Sequence, residues 1–215
     1  METELPPILN GELFSVWYVA LAVIAALVFA VALANTDLFL TESVPAALEE
    51  LSSAELQTTT GDGKTLKGQT LWEKNGAVIM VEAAELSSLK PQLDQLGVPL
   101  YAVLKEDLDT EVQNFRPFFN GEIFVDQERV YYGPTQRRMG LALGLVRLGV
   151  LRNLVQAQKN GYHGNKKGEG FILGGLYVIE AEKQGILLEH REKEFGNKAH
   201  ISSILEAAKK INKSQ

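Results

Sequence analysis

The side chains that most often perform catalysis or bind metals are scarce in this chain of 215 residues. There is no cysteine, which excludes disulfides, thiolate metal sites and a cysteine nucleophile. The three histidines are scattered, at His163, His190 and His200, and their spacing does not match that of paired zinc ligands. We therefore predict neither a zinc site nor a bound cofactor, and we assign no catalytic residue.

Two polar segments are weaker candidates for catalysis or ligand binding. His190 lies in the charged stretch LEHREKEF, where an acid–base role is conceivable, but a solvated strand end is the simpler interpretation. Gly168 and Gly170, followed by Gly174 and Gly175, resemble a phosphate loop. They precede an apolar run, whereas a dinucleotide-binding loop follows a strand and opens a helix. We therefore expect these glycines to allow tight backbone geometry and predict no nucleotide site.

Charge is distributed unevenly along the chain. The net charge is −6, and because nucleic-acid-binding proteins are usually basic, we expect no nucleic-acid partner. Between Gly133 and Gly168 there is no acidic residue. The basic residues of that stretch are Arg137, Arg138, Arg147, Arg152, Lys159, Lys166 and Lys167. One part of the surface is therefore predicted to be basic on an otherwise acidic protein.

The segment Leu13–Ala34 is long, apolar and free of charge. As a helix it would extend for roughly 33 Å, enough to cross a bilayer core, and Trp17 and Tyr18 stand near one end, where interfacial aromatics often lie. A membrane anchor is the interpretation that we favour. A cleaved signal peptide fits less well, because the leader is acidic, and a buried core helix is the third interpretation. No basic residue precedes Lys64, so the orientation is not readable.

The centre of the chain has the pattern of a strand, a helix and a second strand. Gly76–Val81 and Val98–Leu104 are short apolar runs without alternation, as in strands covered on both faces. Between them, Glu82–Leu96 has the leucine spacing of a helix, with Pro91 predicting a kink and Gly97 a stop. This order predicts parallel strands joined by a right-handed crossover.

The flanking elements complete an α/β domain. We predict a thioredoxin-like mixed sheet with helices on both faces over residues 43–215, preceded by a short polar leader, 1–12, and the apolar helix, 13–36. The predicted helices are Ser43–Gln57, Asp107–Phe115, a long segment within Pro134–Lys159, and His200–Ile211. The predicted further strands are Glu122–Val125 and a hairpin of Phe171–Ile179 with Ile186–Glu189. Thr58–Gly63 and Gly161–Gly170 are predicted loops.

The basic segment Arg137–Lys159 has two interpretations. It could lie against an anionic membrane, as basic amphipathic helices do. Its apolar residues are too numerous for one narrow stripe, and a helix that is apolar all round is usually buried. We therefore favour a core helix with a solvated basic edge.

Several blocks of sequence resemble the peroxiredoxin-like 2A family, the redox-regulatory members of the alkyl hydroperoxide reductase and thiol-specific antioxidant group. The blocks are LANTD (33–37), LWEKNGAVIM (71–80), LSSLK (86–90), LDQLGVPLYAV (93–103), GEIF (121–124), YGP (132–134), GEGFILGG (168–175) and KQGILLEHREKEFG (183–196). They are long, ordered and correctly spaced. The resemblance implies a thioredoxin-like fold and an antioxidant, redox-regulating function through a thiolate that is oxidised and then resolved by its neighbour.

The family's Cys-x-x-Cys loop has no counterpart here. By the resemblance, the dithiol would lie between Met80 and Glu85, but Met80 is followed directly by Val81 and the helix-like run. About a dozen residues are absent, more than an ordinary strand-to-helix loop contains. We therefore expect no thiol oxidoreductase activity, and lower stability over residues 79–86 than in a relative that has the loop.

Three hypotheses of function follow. The first is a redox-regulatory antioxidant protein in a form that lacks its dithiol, through alternative splicing, an incomplete gene model or true loss. The second is a non-catalytic thioredoxin-fold binding module that contacts protein partners of redox signalling. The third is a membrane-tethered structural protein, with membrane contact through Leu13–Ala34. We expect a cytoplasmic protein with membrane association through this segment, and mitochondrial or secreted pools stay open.

Overall fold

The computed structural model describes residues 7–61, 63–81, 84–106, 111–159, 172–182 and 184–211. The strands in these ranges are β1 (Glu55–Thr58), β2 (Thr65–Lys67), β3 (Ala77–Val81), β4 (Leu100–Leu104), β5 (Glu122–Val125), β6 (Gly175–Ile179) and β7 (Ile186–Arg191). They form one sheet in the order β2-β1-β5-β4-β3-β6-β7.

Helices cover both faces of this sheet, although the longest helix, at the N-terminus, is exposed along most of its length. In the described part of the chain they are α1 (Pro7–Ala34), α2 (Leu48–Ser53), α3 (Lys90–Gln95), α4 (Glu111–Phe115), α5 (Leu141–Val146), α6 (Leu148–Lys159) and α7 (Ile201–Ile211). Short 3₁₀ helices occupy Asp37–Phe39, Gly68–Leu71, Ala84–Leu89, Arg116–Phe118 and Val130–Tyr132.

Strand directions confirm the thioredoxin-like prediction. β3 pairs in parallel with β4, and β6 and β7 form an antiparallel hairpin that joins the other side of β3. A crossover between β3 and β4 and a final helix after the hairpin complete the unit, so that β4-β3-β6-β7 is the four-stranded core of a thioredoxin-like fold. β5 extends it in parallel beside β4, and the β1–β2 hairpin adds an antiparallel edge.

The predicted central strand is the most enclosed part of the sheet. All five residues of β3 are buried, because β4 and β6 flank it and packed layers cover both faces. Val78 and Met80 belong to the core layer that includes α3 and α7. Ala77, Ile79 and Val81 belong to the opposite layer, around Trp72 and α2. An apolar run without alternation is what burial on both faces requires.

The predicted helix Ser43–Gln57 is wrong in extent. Only Leu48–Ser53 is helical, and the chain then enters β1. The apolar spacing that suggested a helix runs only from Val44 to Leu51, about two turns, and Leu56 is fully buried as a strand residue instead. β1 gains backbone hydrogen bonds to both β2 and β5, and these tertiary bonds outweigh local helix propensity.

The predicted helix over residues 82–96 changes character along its length. Ala84–Leu89 is a 3₁₀ helix, and α3 begins at Lys90 with Pro91 in its first turn. A first-turn proline leaves no additional donor unsatisfied, so the change of helix type stands where the kink was predicted. Gly97 has a φ of +68°, and the helix ends there as predicted.

The predicted long helix within Pro134–Lys159 is two helices, α5 and α6, which meet at Arg147. The side chain of Arg147 is buried at this break, and so is that of Arg137. The predicted basic surface is therefore smaller than the sequence suggested. The predicted loop Gly161–Gly170, with Gly168 and Gly170, lies outside the described residues.

Candidate functional site at the carboxyl edge of the sheet

The three parallel strands end together at one edge of the sheet, which we call the carboxyl edge. Val81 at the end of β3 pairs with Val103 of β4, and Val103 pairs with Phe124 of β5. On its other side Val81 pairs with Gly175, which pairs in turn with Arg191. Functional groups of open α/β sheets gather at this edge, which makes its polar side chains the candidates for a functional site.

The connection that leaves β3 at this edge is very short. Val81 ends the strand and the 3₁₀ helix begins at Ala84, so only residues 82 and 83 lie between them. Met80 and Val81 are fully buried, on opposite faces of the sheet. Since the chain contains no cysteine, the position expected for the dithiol, between Met80 and Glu85, offers no thiol.

Arg191 is the charged side chain in register with the end of β3. It lies two strands away from Val81, at roughly 10 Å by the usual strand spacing. Its Nε donates to Glu189 Oε1 and its Nη1 to the carbonyl of Tyr131, each at 2.8 Å. The guanidinium stands 4.9 Å from the centre of the Tyr177 ring. Its Nη2 is buried and has no hydrogen-bond partner among the described residues.

Gly133, in the YGP block, packs against the guanidinium of Arg191. Its φ is +85°, and a Cβ built there would stand 2.6 Å from Nη2 of Arg191. A side chain at this position would therefore meet both an unfavourable backbone conformation and the guanidinium. This contact joins the YGP block to the block KQGILLEHREKEFG, although Gly133 and Arg191 are nearly sixty residues apart in sequence.

Two further charged groups are buried at the carboxyl edge. Asp126 follows β5, and its Oδ2 accepts a hydrogen bond from the amide of Tyr131 at 2.8 Å. Burial raises the pKa of Asp126, and the backbone amides that point at it oppose this only in part. Lys105 follows β4 and is buried, with its Nζ 5.9 Å from the centre of the Tyr132 ring. We call Lys105, Asp126 and Arg191 the carboxyl-edge cluster.

A tyrosine layer lies under this cluster. The rings of Tyr131 and Tyr177 meet edge to face at 6.0 Å, and the Tyr177 hydroxyl donates to the carbonyl of Tyr131 at 3.0 Å. Burial raises the pKa of both phenols. They therefore stay neutral and act as packed hydrogen-bond donors rather than as bases.

Neither of the two histidines that the structure describes joins the cluster. His190 Nε2 lies 2.8 Å from the carbonyl of Asn197, His200 is exposed immediately before α7, and His163 lies outside the described residues. The interpretation of LEHREKEF as a solvated strand end is wrong, since the Arg191 side chain is only 8% exposed and that of Glu189 17%. Sequence reasoning missed Arg191 because charge in a short strand resembles an exposed face.

A groove lies on the face of the sheet away from the tyrosine layer, near the short connection after β3. It has a volume of about 540 Å³ and is lined by Leu86, Gln156 and the residues 198–202 that lead into α7. Lys198 is half-buried here, and burial lowers its pKa.

The apolar helix near the N-terminus meets the length and hydropathy criteria for a membrane span. The part that meets them is Ser15–Ala34, whose most apolar 18 residues have a mean hydropathy of 2.7 and are not buried against the rest of the protein. A signal sequence meets the same criteria. The third interpretation, a buried core helix, is wrong because these side chains are exposed.

Comparison with known proteins identifies relatives along most of the chain. The AhpC/TSA antioxidant enzyme family matches residues 85–194. Peroxiredoxin-like 2A of Danio rerio is 55% identical over 206 residues, covering 91% of this chain and 97% of the relative. Peroxiredoxin-like 2A of Homo sapiens is 52% identical over 206 residues, covering 91% and 90%.

Among solved structures, peroxiredoxin Q of Xanthomonas campestris aligns with 79% of this chain and 98% of its own, at 13% identity and a TM-score of 0.45. The family assignment rests on the sequence relatives and on the strand order described above. This chain belongs to the peroxiredoxin-like 2A family of AhpC/TSA antioxidant proteins.

Proposed function

We propose that this chain is a dithiol-free form of a redox-regulatory antioxidant protein and that it consumes no peroxide itself. The observation that carries the proposal is the join between β3 and the following helix. Only two residues separate Val81 from Ala84, in a chain without cysteine. Two residues are too few to make up a loop that carries a Cys-x-x-Cys pair, which supports the proposal.

The alignment with relatives supports an internal deletion. It extends over 206 residues with the Danio rerio protein but covers 91% of the 215 residues here, or about 196. About ten positions of that relative therefore have no counterpart in this chain. The number is close to the length of the absent loop.

The carboxyl-edge cluster supports the redox origin of the site. A thiolate needs nearby positive charge to lower its pKa, and Arg191 and Lys105 hold two cations buried at the edge where β3 ends. The Nη2 amino group of Arg191 is also buried without a hydrogen-bond partner among the described residues. Buried cations at this edge would favour a thiolate there, although Arg191 also pairs with Glu189, and this supports the proposal.

The chemistry that is lost can be written explicitly. A thiolate attacks the terminal oxygen of a hydroperoxide, forms a sulfenic acid and releases an alcohol or water after proton uptake. A second thiol then displaces water from the sulfenic acid and closes a disulfide. One peroxide is reduced for each pair of thiols oxidised, so a chain without thiols performs neither step.

Loop restoration tests this proposal. A loop of about a dozen residues that contains Cys-x-x-Cys, inserted after Val81, should restore peroxide consumption with loss of two thiols per chain. The matched control is the same loop with both cysteines replaced by serine. Peroxide consumption is followed under single-turnover conditions, and free thiols are counted at the end point.

The unmodified chain should consume no more peroxide than the serine control. Catalytic consumption by the unmodified chain would overturn the proposal. Consumption that did not exceed the serine control in a folded cysteine-loop variant would show that the carboxyl-edge cluster does not support a reactive thiolate.

The second candidate is a binding module that keeps the family's partner surface. It is favoured by the intact core behind the short connection, where Leu89 and Leu93 are fully buried. Mass spectrometry of the native peptide Asn75–Lys90 separates the two. A longer cysteine-bearing peptide favours a variant of an active protein, whereas only the short peptide, with Met80 joined to Val81, favours the binding module.

A further inference from the structure

Helix α6 packs against the domain with its polar side. Asn153 Nδ2 donates to the carbonyl of Phe195 at 3.0 Å. Gly149 lies against the carboxylate of Glu194, so closely that no Cβ would fit. Small and polar residues therefore form the inner side of α6, the reverse of what a helix on a soluble protein usually shows.

The outer side of α5 and α6 is apolar and exposed. Leu145 and Leu148 are 64% and 65% exposed, and Leu154 and Val155 are each 51% exposed. Leu148, Leu151 and Val155 follow the i, i+3, i+7 spacing of one helix face. The preference for a buried core helix in this segment is therefore wrong, and a continuous exposed apolar surface of this kind marks an interaction site.

Basic side chains border this surface. Arg152 and Lys159 are exposed, and with Leu148 and Val155 they follow the spacing i, i+4, i+7, i+11 of a single stripe. No acidic residue occurs in α5 or α6. The long stems of Arg and Lys can lie along apolar surface while their charges reach outward. The combination fits an anionic lipid surface.

The end of α1 is tied to the break between these two helices. Arg147 Nε donates to the carbonyl of Ala34 at 2.8 Å and Nη2 to that of Thr36 at 2.6 Å. Asn35 donates to the carbonyl of Val146 and accepts from the amide of Leu148. A bilayer that received α1 would therefore end next to the outer side of α5 and α6.

We propose that the outer side of α5–α6 lies on an anionic bilayer as an interfacial element beside the α1 anchor. The occupant is lipid, because the surface combines exposed apolar residues, a basic border and continuity with the apolar α1. The inference rests on insertion of α1, and the test reports that insertion separately.

Depth measurements can use the natural absence of cysteine as a labelling background. The full-length variants Leu151→Cys and Leu154→Cys are labelled with an environment-sensitive fluorophore and reconstituted in vesicles of phosphatidylcholine and phosphatidylserine. A spin-labelled phospholipid should quench both labels. Val23→Cys in α1 reports anchor insertion. Lys64→Cys serves as the aqueous control, because Lys64 is exposed beside β2, the edge strand farthest from β7.

Charge reversal gives a second readout. Arg152→Glu with Lys159→Glu, placed in the Leu154→Cys background, should lower the lipid quenching by at least about twofold in anionic vesicles. It should have little effect in phosphatidylcholine alone. Circular dichroism checks that the variant keeps its fold.

Three outcomes would overturn the inference. Quenching at residues 151 and 154 no greater than at Lys64, with Val23 quenched, would leave the anchor in place and α5–α6 in water. Absence of quenching at Val23 as well would remove the anchor on which the inference rests. Shielding of residue 154 without lipid would assign the surface to α1 or to a second copy of the chain.

Discussion

Two connections leave neighbouring parallel strands at the carboxyl edge, and they differ in length. After β4, residues 105–110 lie before α4, whereas only residues 82 and 83 lie between β3 and the next helical residue. The longer connection carries Lys105 of the carboxyl-edge cluster. The shorter one carries no group of that cluster. On the function proposed above, the shorter connection marks where the dithiol was deleted, and the buried charges of the carboxyl-edge cluster are what is kept around it.

The helix that follows the shorter connection begins with an uncommon geometry. Six residues after β3, Ala84–Leu89, form a 3₁₀ helix, and α3 begins directly after them. Runs longer than three or four residues are uncommon in this form, because its hydrogen bonds are poorer. Leu86, Leu89 and Leu93 are buried nonetheless. Core packing, rather than helix propensity, therefore holds the segment against the sheet.

Truncation of Leu89 should have the largest effect on this comparison. Leu89 is fully buried, and Leu89→Ala should lower the free energy of unfolding by about 3 kcal/mol, since it removes apolar contacts and leaves a cavity. Denaturant titration measures the change. Gln92→Ala, on the exposed side of α3, is the control and should stay within about 0.5 kcal/mol of wild type.

Val112→Ala in α4 makes the same test after the longer connection. Val112 is 6% exposed, and fewer methyl groups are removed, so its loss should be the smaller of the two. Equal losses from Leu89→Ala and Val112→Ala would contradict a special dependence of the short connection on packing.

Hydrogen exchange should separate the connection from the strand beside it. Ile79–Val81 pair with both β4 and β6, so the lower stability predicted for residues 79–86 should be confined to their C-terminal part. Amides of residues 84–86 should exchange at least about tenfold faster than those of residues 101–103, since marginal segments open locally. Equal protection of both groups would count against this.

The smallest effect concerns a single hydrogen bond that helps to position the 3₁₀ helix. The amide of Asn120 donates to Ser87 Oγ at 2.9 Å. Ser87→Ala leaves this amide without its partner and should cost about 1 kcal/mol. Ser87→Thr keeps the hydroxyl and is the matched control. Identical unfolding midpoints for the alanine variant and wild type would show that the bond contributes nothing.

The sequence predicted the centre of the fold better than its margins. Burial on both faces leaves an unmistakable apolar run, which identified β3 and β4. β1 was hidden because Leu48, Leu51 and Leu56 are all apolar and the strand has only four residues. Its pairing with β5 depends on residues nearly seventy positions away, which local periodicity cannot reveal.

The candidate site was predictable only in part. The position expected for the dithiol, between Met80 and Glu85, followed from the order of the family blocks, and it stays a prediction. Arg191 could not be recognised as buried, because its partners Glu189, Tyr131 and Tyr177 come together only through the hairpin and the loop after β5. A comparable gap hid the role of Arg147, whose contacts join segments more than a hundred residues apart.

The long sequence separation of the Arg147 contacts has a consequence for the order of events during synthesis. The carbonyl of Ala34 accepts its hydrogen bond from Arg147, a residue that is synthesised 113 positions later in the chain. Because domains form as the chain emerges from its N-terminus, α1 is complete long before its C-terminal carbonyls acquire this cation. The last-turn carbonyl of α1 can therefore accept its hydrogen bond from Arg147 only after α5 has been synthesised. A membrane anchor would already have inserted by then.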